Sequence, residues 1–285
     1  MSGIMIVELK HTDGKERKYM KTNLIIVEGL PCSGKSTTSR YIADHLGMSC
    51  FDEDAEDHPA DYSFHAYLKH DELSEFSCSE RDEISKHSSP AADGIVTPLS
   101  YYSDELFEKL ITHKIYDFLP WETEKALMLD KWREFVKTAS TGNISYVFNC
   151  VFLQNPMCET MMRFGFDESI SAQHISEINE IIRPMSPLIV YLKSADIRKR
   201  INAALAERGK EWLYFVVDYH CSGKYGKQHG LSGFDGYISA LEERQRRELD
   251  ILSHLDTDCM IIDAPDTDWD SIYEKIIKRI QGENI

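Results

Sequence analysis

Residues 24–36 read L-I-I-V-E-G-L-P-C-S-G-K-S. The apolar run at Leu24 to Val27 stops at a loop with glycines at 29 and 34, and a helical pattern opens at once behind it. A short β-branched run closed by glycine reads as a buried strand, so the stretch reads strand, loop, helix. The same alternation continues along the chain. Further strands are expected at 48–52, 144–153, 188–192 and 260–263, with the first at 23–27. Helices are expected at 34–46, at several places within 62–140, and at 168–182, 195–207, 234–255 and 269–280. In the penultimate one, Ile238, Leu241, Leu249, Leu252 and Leu255 form a stripe near the helical period. Strands alternating with helices imply an α/β three-layer fold with a mostly parallel five-stranded sheet. The interval 59–141 is too long for a simple crossover and predicts a mostly helical insertion at about 60–141 within a single domain. No internal repeat or low-complexity linker marks a second one.

Composition bounds the partners. A chain of 285 residues, 42% hydrophobic, can bury one large core or two modest ones. Its seven cysteines contain no C-x-x-C pair and are odd in number, which reads as reduced thiols of a cytoplasmic protein. The first residues have too short an apolar stretch and the wrong charge order for a signal peptide, and no run of about 18 apolar residues occurs, so no membrane partner is expected. A formal net charge of −16 argues against nucleic acid, a polyanion that would be repelled at long range. It is compatible with small substrates, cationic ones included. A homodimer is left open.

The loop has a chemistry of its own. Successive backbone N–H groups in such a turn form an anion nest, glycines allow the dihedrals, and the following helix adds its positive end. Spacing of the G-x-x-x-x-G-K-S type makes Gly29, Pro31, Cys32, Ser33, Gly34, Lys35, Ser36 and Thr37 the candidate nucleotide-binding residues. Lys35 would reach the β- and γ-phosphates of ATP, and the Ser36 hydroxyl would ligate Mg²⁺. The plainer alternative is a glycine-rich helix start with an exposed lysine.

E-G-L-P-C-S-G-K-S-T-T at 28–38, the acidic F-D-E-D-A-E-D-H-P at 51–59 and M-I-I-D-A-P-D-T-D-W at 260–269 together resemble the P-loop kinase group that includes thymidylate, deoxynucleoside, shikimate and gluconate kinases. The resemblance implies a nucleoside-monophosphate-kinase-like fold, a mobile lid before the last strand, and phosphoryl transfer from ATP to a small acceptor. It covers the two ends of the chain and leaves 62–140 unassigned.

Transfer needs a group that orients and deprotonates the acceptor, projecting from a strand end near the γ-phosphate. Asp52, Glu53 and Asp54 end the second strand; Asp54 is the preferred catalytic carboxylate, Asp52 the next and also a metal ligand, against the alternative of a solvated acidic loop. His58-Pro59 is similar to an element of gluconate kinases, with one residue more between it and Asp54. The third strand carries Asn149, Gln154 and Asn155 where many P-loop proteins end on an aspartate, which throws metal binding onto Ser36 and a second-strand carboxylate. Gln154 and Asn155 either contact the acceptor or cap the next helix.

Charge over the phosphates is expected from Arg198, Arg200 and Arg208, with Arg200 and Arg208 taken as catalytic and Arg244 as a weaker candidate. The glycine-rich 222–233 reads as the moving part of a lid spanning about 198–233, where the resemblance places one. Tyr62, Phe64, Tyr67, Tyr101, Tyr102 and Trp121 are expected to line the acceptor pocket or to sit in the core. The favoured function is an ATP-dependent phosphotransferase acting on a hydroxyl or phosphate of a small molecule; the alternative is a nucleotide-binding regulatory or interaction protein without acceptor chemistry. The acceptor could be a nucleoside, a sugar acid or an amine-bearing alcohol.

Overall fold

The structure, a computed structural model, describes residues 22–142, 144–264 and 268–282. The N-terminal stretch read against a signal peptide, and residues 265–267 of the C-terminal motif, lie outside the described residues. In chain order the strands are β1 (Leu24–Gly29), β2 (Ser49–Phe51), β3 (His65–Lys69), β4 (Ser89–Ala91), β5 (Gly94–Pro98), β6 (Tyr146–Asn149), β7 (Leu188–Lys193) and β8 (Asp258–Asp263). The helices are α1 (Lys35–Leu46), α2 (Cys78–His87), α3 (Asp104–Leu110), the kinked turn α4 (Ile115–Phe118), α5 (Trp121–Ala139), α6 (Gln154–Met157), α7 (Glu168–Ile182), α8 (Ile197–Cys221), α9 (Lys224–Gln228), α10 (Gly233–His254) and α11 (Trp269–Ile280).

Five strands make one parallel sheet in the order β2-β6-β1-β7-β8. All six residues of β1 are buried, because the sheet is covered on both faces. Leu24 and Ile26 point into a core with Trp132, Phe135, Ile175 and Ile178, under α5, α7 and α10. Ile25 and Val27 point the other way, against Ile42, Ile276 and Ile277 of α1 and α11. This is the α/β fold and five-stranded parallel sheet expected of a P-loop NTPase. In α10, Ile238, Leu241 and Leu252 are buried, and Leu249 and Leu255 pack partly buried against the core.

The segment between β2 and β6 is helical for most of its length, but it also carries a second sheet that sequence reasoning did not anticipate. Strands β3, β5 and β4 pair antiparallel in that order. They close a separate small core of Ala66, Leu68, Phe76, Ile84, Leu99 and Leu106 with α2 and α3. Gly94 is required there: a Cβ would lie 2.1 Å from the Leu68 carbonyl oxygen across the pair.

Three further differences matter for the site. Strand β6 stops at Asn149, four residues short of the expectation, because Cys150 takes a left-handed backbone, φ 68°. The helix expected at 195–207 continues to Cys221 with one break at Gly209, φ 86° and ψ 177°. The glycines at 223 and 226 are required by close packing. A Cβ at 223 would meet the Met162 carbonyl oxygen at 2.2 Å, and one at 226 would meet that of Cys221 at 2.0 Å, so this segment is docked backbone to backbone. No helix among the described residues is long and apolar enough to cross a membrane.

Candidate active site

The loop after β1 has the conformation its glycines foretell. Gly29 and Gly34 hold φ 144° and 94°, and Cys32 takes φ 64°. At Gly29 a Cβ would sit 2.5 Å from the Leu192 carbonyl oxygen; at Gly34 it would sit 2.9 Å from the Trp269 ring. The first turn of α1 has neither an acidic residue nor a capping side chain, so its N–H groups are left for an anion. The buried Ser33 hydroxyl has no partner among the described residues. The Lys35 ammonium is folded back onto the loop, donating to the carbonyl oxygens of Gly29 and Leu30 at 2.9 Å each. These features fit a polyphosphate: rotation of the Lys35 side chain would exchange two carbonyls for phosphate oxygens.

The loop opens into a cavity of about 1190 Å³ across the carboxyl ends of the strands, where ligands of open α/β sheets bind. That exceeds the ~300–1,000 Å³ of a single small-molecule site, so there is space for a nucleotide and a second ligand. Pro31, Cys32, Gly34, Lys35, Ser36 and Thr37 line one part of it, while Gly29 and Ser33 form the loop behind.

The acidic loop after β2 divides in a way its sequence did not reveal. Asp54 is exposed on the cavity wall, and Glu53 lines it too. Asp52 is absent from the wall. One of its oxygens pairs with Arg40 at 2.6 Å and the other accepts from the Asn149 amide at 2.6 Å. Its assignment as a magnesium ligand therefore does not match the geometry, whereas Ser36 does line the cavity. Among the described residues no cluster of three or more His, Cys, Asp or Glu side chains forms a metal site. Asn149 compensates for the missing aspartate structurally: its side-chain oxygen accepts the Glu53 N–H at 3.2 Å and fixes the acidic loop to β6. Gln154 donates to the Glu53 carboxylate, which orients that group.

Beneath this wall lies a buried polar network. Glu28, the last side chain before the loop, accepts the N–H groups of Phe152 and Leu153 at 2.8 and 2.9 Å and that of Gln154 at 3.3 Å. Burial, with the charge of Glu248 adding to it, pushes its carboxyl up to about 7 against those hydrogen bonds. Arg244 is fully buried, pairs with Glu248 at 2.6 Å and reaches the Gln154 oxygen at 3.4 Å; Tyr191 donates to the other Glu248 oxygen. Asp61, pushed up to about 6 by burial, accepts from Tyr116 at 2.6 Å, and Asn155 reaches its other oxygen at 3.4 Å. Both Gln154 and Asn155 thus line the cavity while buttressing acids.

Over the cavity stands α8. Arg200 and Arg208 line it, and Arg208 lies 5.3 Å over the Trp212 ring. Arg200 also donates to the Ala264 carbonyl. Arg198 turns away, pairing with Asp235 at 2.7 Å. The six aromatics expected as lining do not contribute. Tyr62, Tyr67 and Tyr102 are buried, Trp121 packs on His174, and Phe64 and Tyr101 lie elsewhere on the surface of the insertion. Tyr116, Phe215, Tyr219 and Trp269 take that place. Buried His58 packs 4.5 Å from Phe148, accepts the Ala60 N–H and is pushed down to about 3 by burial, a packing role.

No protein-family profile matches the chain, and no curated protein matches it. Among solved structures it is similar to deoxyadenosine kinase from M. mycoides with bound dATP: 17% identity, 90% of this chain and 98% of that one covered, TM-score 0.42. It is also similar to thymidylate kinase from Candida albicans, at 14% identity, 92% of each chain and TM-score 0.43. Shikimate kinase from Acinetobacter baumannii in complex with shikimate gives 12% identity, 92% and 95% coverage and TM-score 0.40. Likenesses this distant carry no weight for function, which rests on the strand order and the cavity.

Proposed function

We propose that the protein is an ATP-dependent phosphotransferase acting on a small acceptor. The observation that carries this reading is the joint geometry of the loop and the wall facing it. An anion nest with its lysine opens on the same cavity as two carboxylates held at a strand end. Bound Mg-ATP supplies the phosphoryl group and the metal that shields its charge. The chain's own residues do the rest. The Gly34 to Thr37 amides and Lys35 hold the phosphates, and Ser36 offers its hydroxyl to the metal. Trp269, beside Gly34, gives a flat face for the base. Arg200 and Arg208 descend from α8 toward the charge that spreads over equatorial oxygens in the transition state.

Glu53 and Asp54 are the two candidates to take the acceptor proton. Glu53 is the better oriented, fixed by Gln154 through its side chain and by Asn149 through its backbone. Asp54 is the more exposed and free to approach a metal's water shell. Asp52, locked by Arg40 and Asn149, instead sets the position of both.

The alternative of a nucleotide-binding regulatory protein draws on one observation, that Asn149 stands where an acid would assist the metal. Calorimetry with Mg-ATP tests the shared premise. The parent protein should bind, and Lys35→Met should bind at least tenfold more weakly; equal affinities would remove the loop from the account. A phosphorylated acceptor then separates the enzyme from the regulator.

A further inference from the structure

Each nitrogen of the fully buried Arg244 guanidinium has its own partner. Nε donates to Glu248 at 2.6 Å, Nη1 reaches the Cys158 sulfur at 3.7 Å, and Nη2 reaches the Gln154 side-chain oxygen at 3.4 Å. Glu248 accepts in turn from the Tyr191 hydroxyl, so the guanidinium is anchored between α10 and β7. The main chain of Gln154 is pinned separately, its N–H donating to Glu28 at 3.3 Å.

A guanidinium carries donors and no acceptor. It can therefore face the oxygen of the Gln154 amide and not its nitrogen, which leaves the NH2 on the far side, where it donates to the Glu53 carboxylate. Turning the amide over would set NH2 against guanidinium and oxygen against carboxylate, two repulsive contacts in place of two attractive ones. Arg244 thus decides which end of Gln154 meets Glu53, although it does not reach that carboxylate itself. The Cys150 thiol hydrogen-bonds Glu53 as well, and the Asn149 side-chain oxygen accepts its backbone N–H at 3.2 Å.

The burial of this ion pair needs a reason. Neither Arg244 nor Glu248 has any exposed side chain, and apolar side chains of like volume stabilise a core as well as a buried pair does, or better. A guanidinium held rigid by Glu248, with one nitrogen left over for the Gln154 oxygen, supplies that reason: the pair aligns a group on the cavity wall.

Resting on the phosphotransferase reading, we propose that Arg244 and Gln154 are positioning residues for the transfer: Arg244 orients the Gln154 amide, and the amide holds the Glu53 carboxylate toward the acceptor hydroxyl. In the transfer the acceptor oxygen bonds to phosphorus as the bond to the ADP oxygen breaks. The hydroxyl proton passes to Glu53 and then to solvent. Neither Arg244 nor Gln154 takes a proton, and neither belongs to the phosphate loop, so Mg-ATP binding is independent of both.

The test uses the full chain and three variants. Gln154→Met removes both ends of the amide. Gln154→Glu has the same size and keeps an oxygen for Arg244, but has lost the donor to Glu53; a packing role would tolerate it. Arg244→Met alone would strand Glu248, so it is combined with Glu248→Gln, which removes both charges together and keeps an oxygen for Tyr191. Transfer is read as labelled product from γ-labelled Mg-ATP with water, glycerol, D-glucose and uridine as acceptors. Turnover should fall about tenfold or more in all three variants, as expected for a misdirected reacting group. The KM for Mg-ATP should stay within about twofold of the parent in Gln154→Met and in the double variant. The Gln154 side-chain NH2 is followed by nitrogen-edited NMR, its signal identified by its loss in Gln154→Met. That signal should move in Glu53→Gln and again in the double variant. Parent turnover in Gln154→Glu or in the double variant, or an NH2 signal that neither change moves, overturns the proposal. The two readings fail differently. An NH2 signal that responds to both changes, with no labelled product from the parent, defeats the phosphotransferase and leaves the amide held between Arg244 and Glu53, whereas transfer at equal rates by parent and variants does the reverse.

Discussion

Replacing Glu28 by Gln should make stability less dependent on pH, in a direction opposite to that of a typical paired carboxylate. Glu28 is fully buried beneath the phosphate loop, and its carboxyl moves from 4.5 to about 7 on folding. Between those values the folded protein holds a proton that the unfolded chain has released, so ionisation costs stability as pH rises through the window and the cost is complete above 7. At about 1.4 kcal/mol for each pH unit of displacement, the cost accumulated between pH 5 and 8 is about 2–3 kcal/mol. Gln imitates the protonated side chain. Its oxygen can accept from Phe152 and Leu153, which Glu28 binds at 2.8 and 2.9 Å, while its amide faces the more distant Gln154 N–H at 3.3 Å. The variant should therefore match the parent at pH 5 and exceed it by about 2–3 kcal/mol at pH 8, read from urea denaturation at both. A difference that does not change with pH, or one that favours Glu at pH 8, would refute the account of a carboxylate held at the loop against its own desolvation.

Arg244→Met removes the partner of a buried carboxylate and should cost about 3–5 kcal/mol in chemical denaturation, since among the described residues Tyr191 alone would remain on Glu248; a cost below about 1 kcal/mol would contradict the pairing. Gly34→Ala forces a side chain into φ 94° against the Trp269 ring, so about 1–2 kcal/mol of backbone strain should appear, with weakened Mg-ATP binding in calorimetry. Gly209→Ala meets no neighbouring atom but cannot hold φ 86° and ψ 177°, so α8 should straighten. Helical circular dichroism should rise while turnover falls, and an unchanged rate would show that the break has no part in closing the site.

Much of the architecture was legible because its determinants are local. The first strand, its glycine loop and the bounds of α7 and α11 follow from periodicity and from glycines whose conformations the structure shows to be obligatory. What escaped depends on contacts far apart in the chain. Cys150 to Leu153 is as apolar as a strand, yet Glu28 draws in the N–H groups of Phe152 and Leu153 and the chain turns. Strands β3 and β5 hide because His65, Ala66, Tyr67 and Leu68 are all buried, leaving no alternation to read. Asp52, Glu53 and Asp54 are equivalent in sequence; Arg40, Asn149 and Gln154 assign them different places. The aromatic lining was sought in the insertion, whereas Phe215 and Tyr219 lie beyond Gly209, past the 195–207 over which that helix was expected.

The central claim is that this cavity passes the γ-phosphate of ATP to an acceptor positioned by Glu53. The most direct measurement is incubation with γ-labelled Mg-ATP and a panel of hydroxyl-bearing metabolites, followed by mass detection of labelled product, for the parent, Glu53→Gln and Asp54→Asn. The account predicts label transferred to an acceptor by the parent, with turnover lowered about a hundredfold or more in Glu53→Gln and Mg-ATP affinity unchanged in that variant. Bound ATP with no labelled product across the panel, or Glu53→Gln turning over at the parent rate, would contradict it.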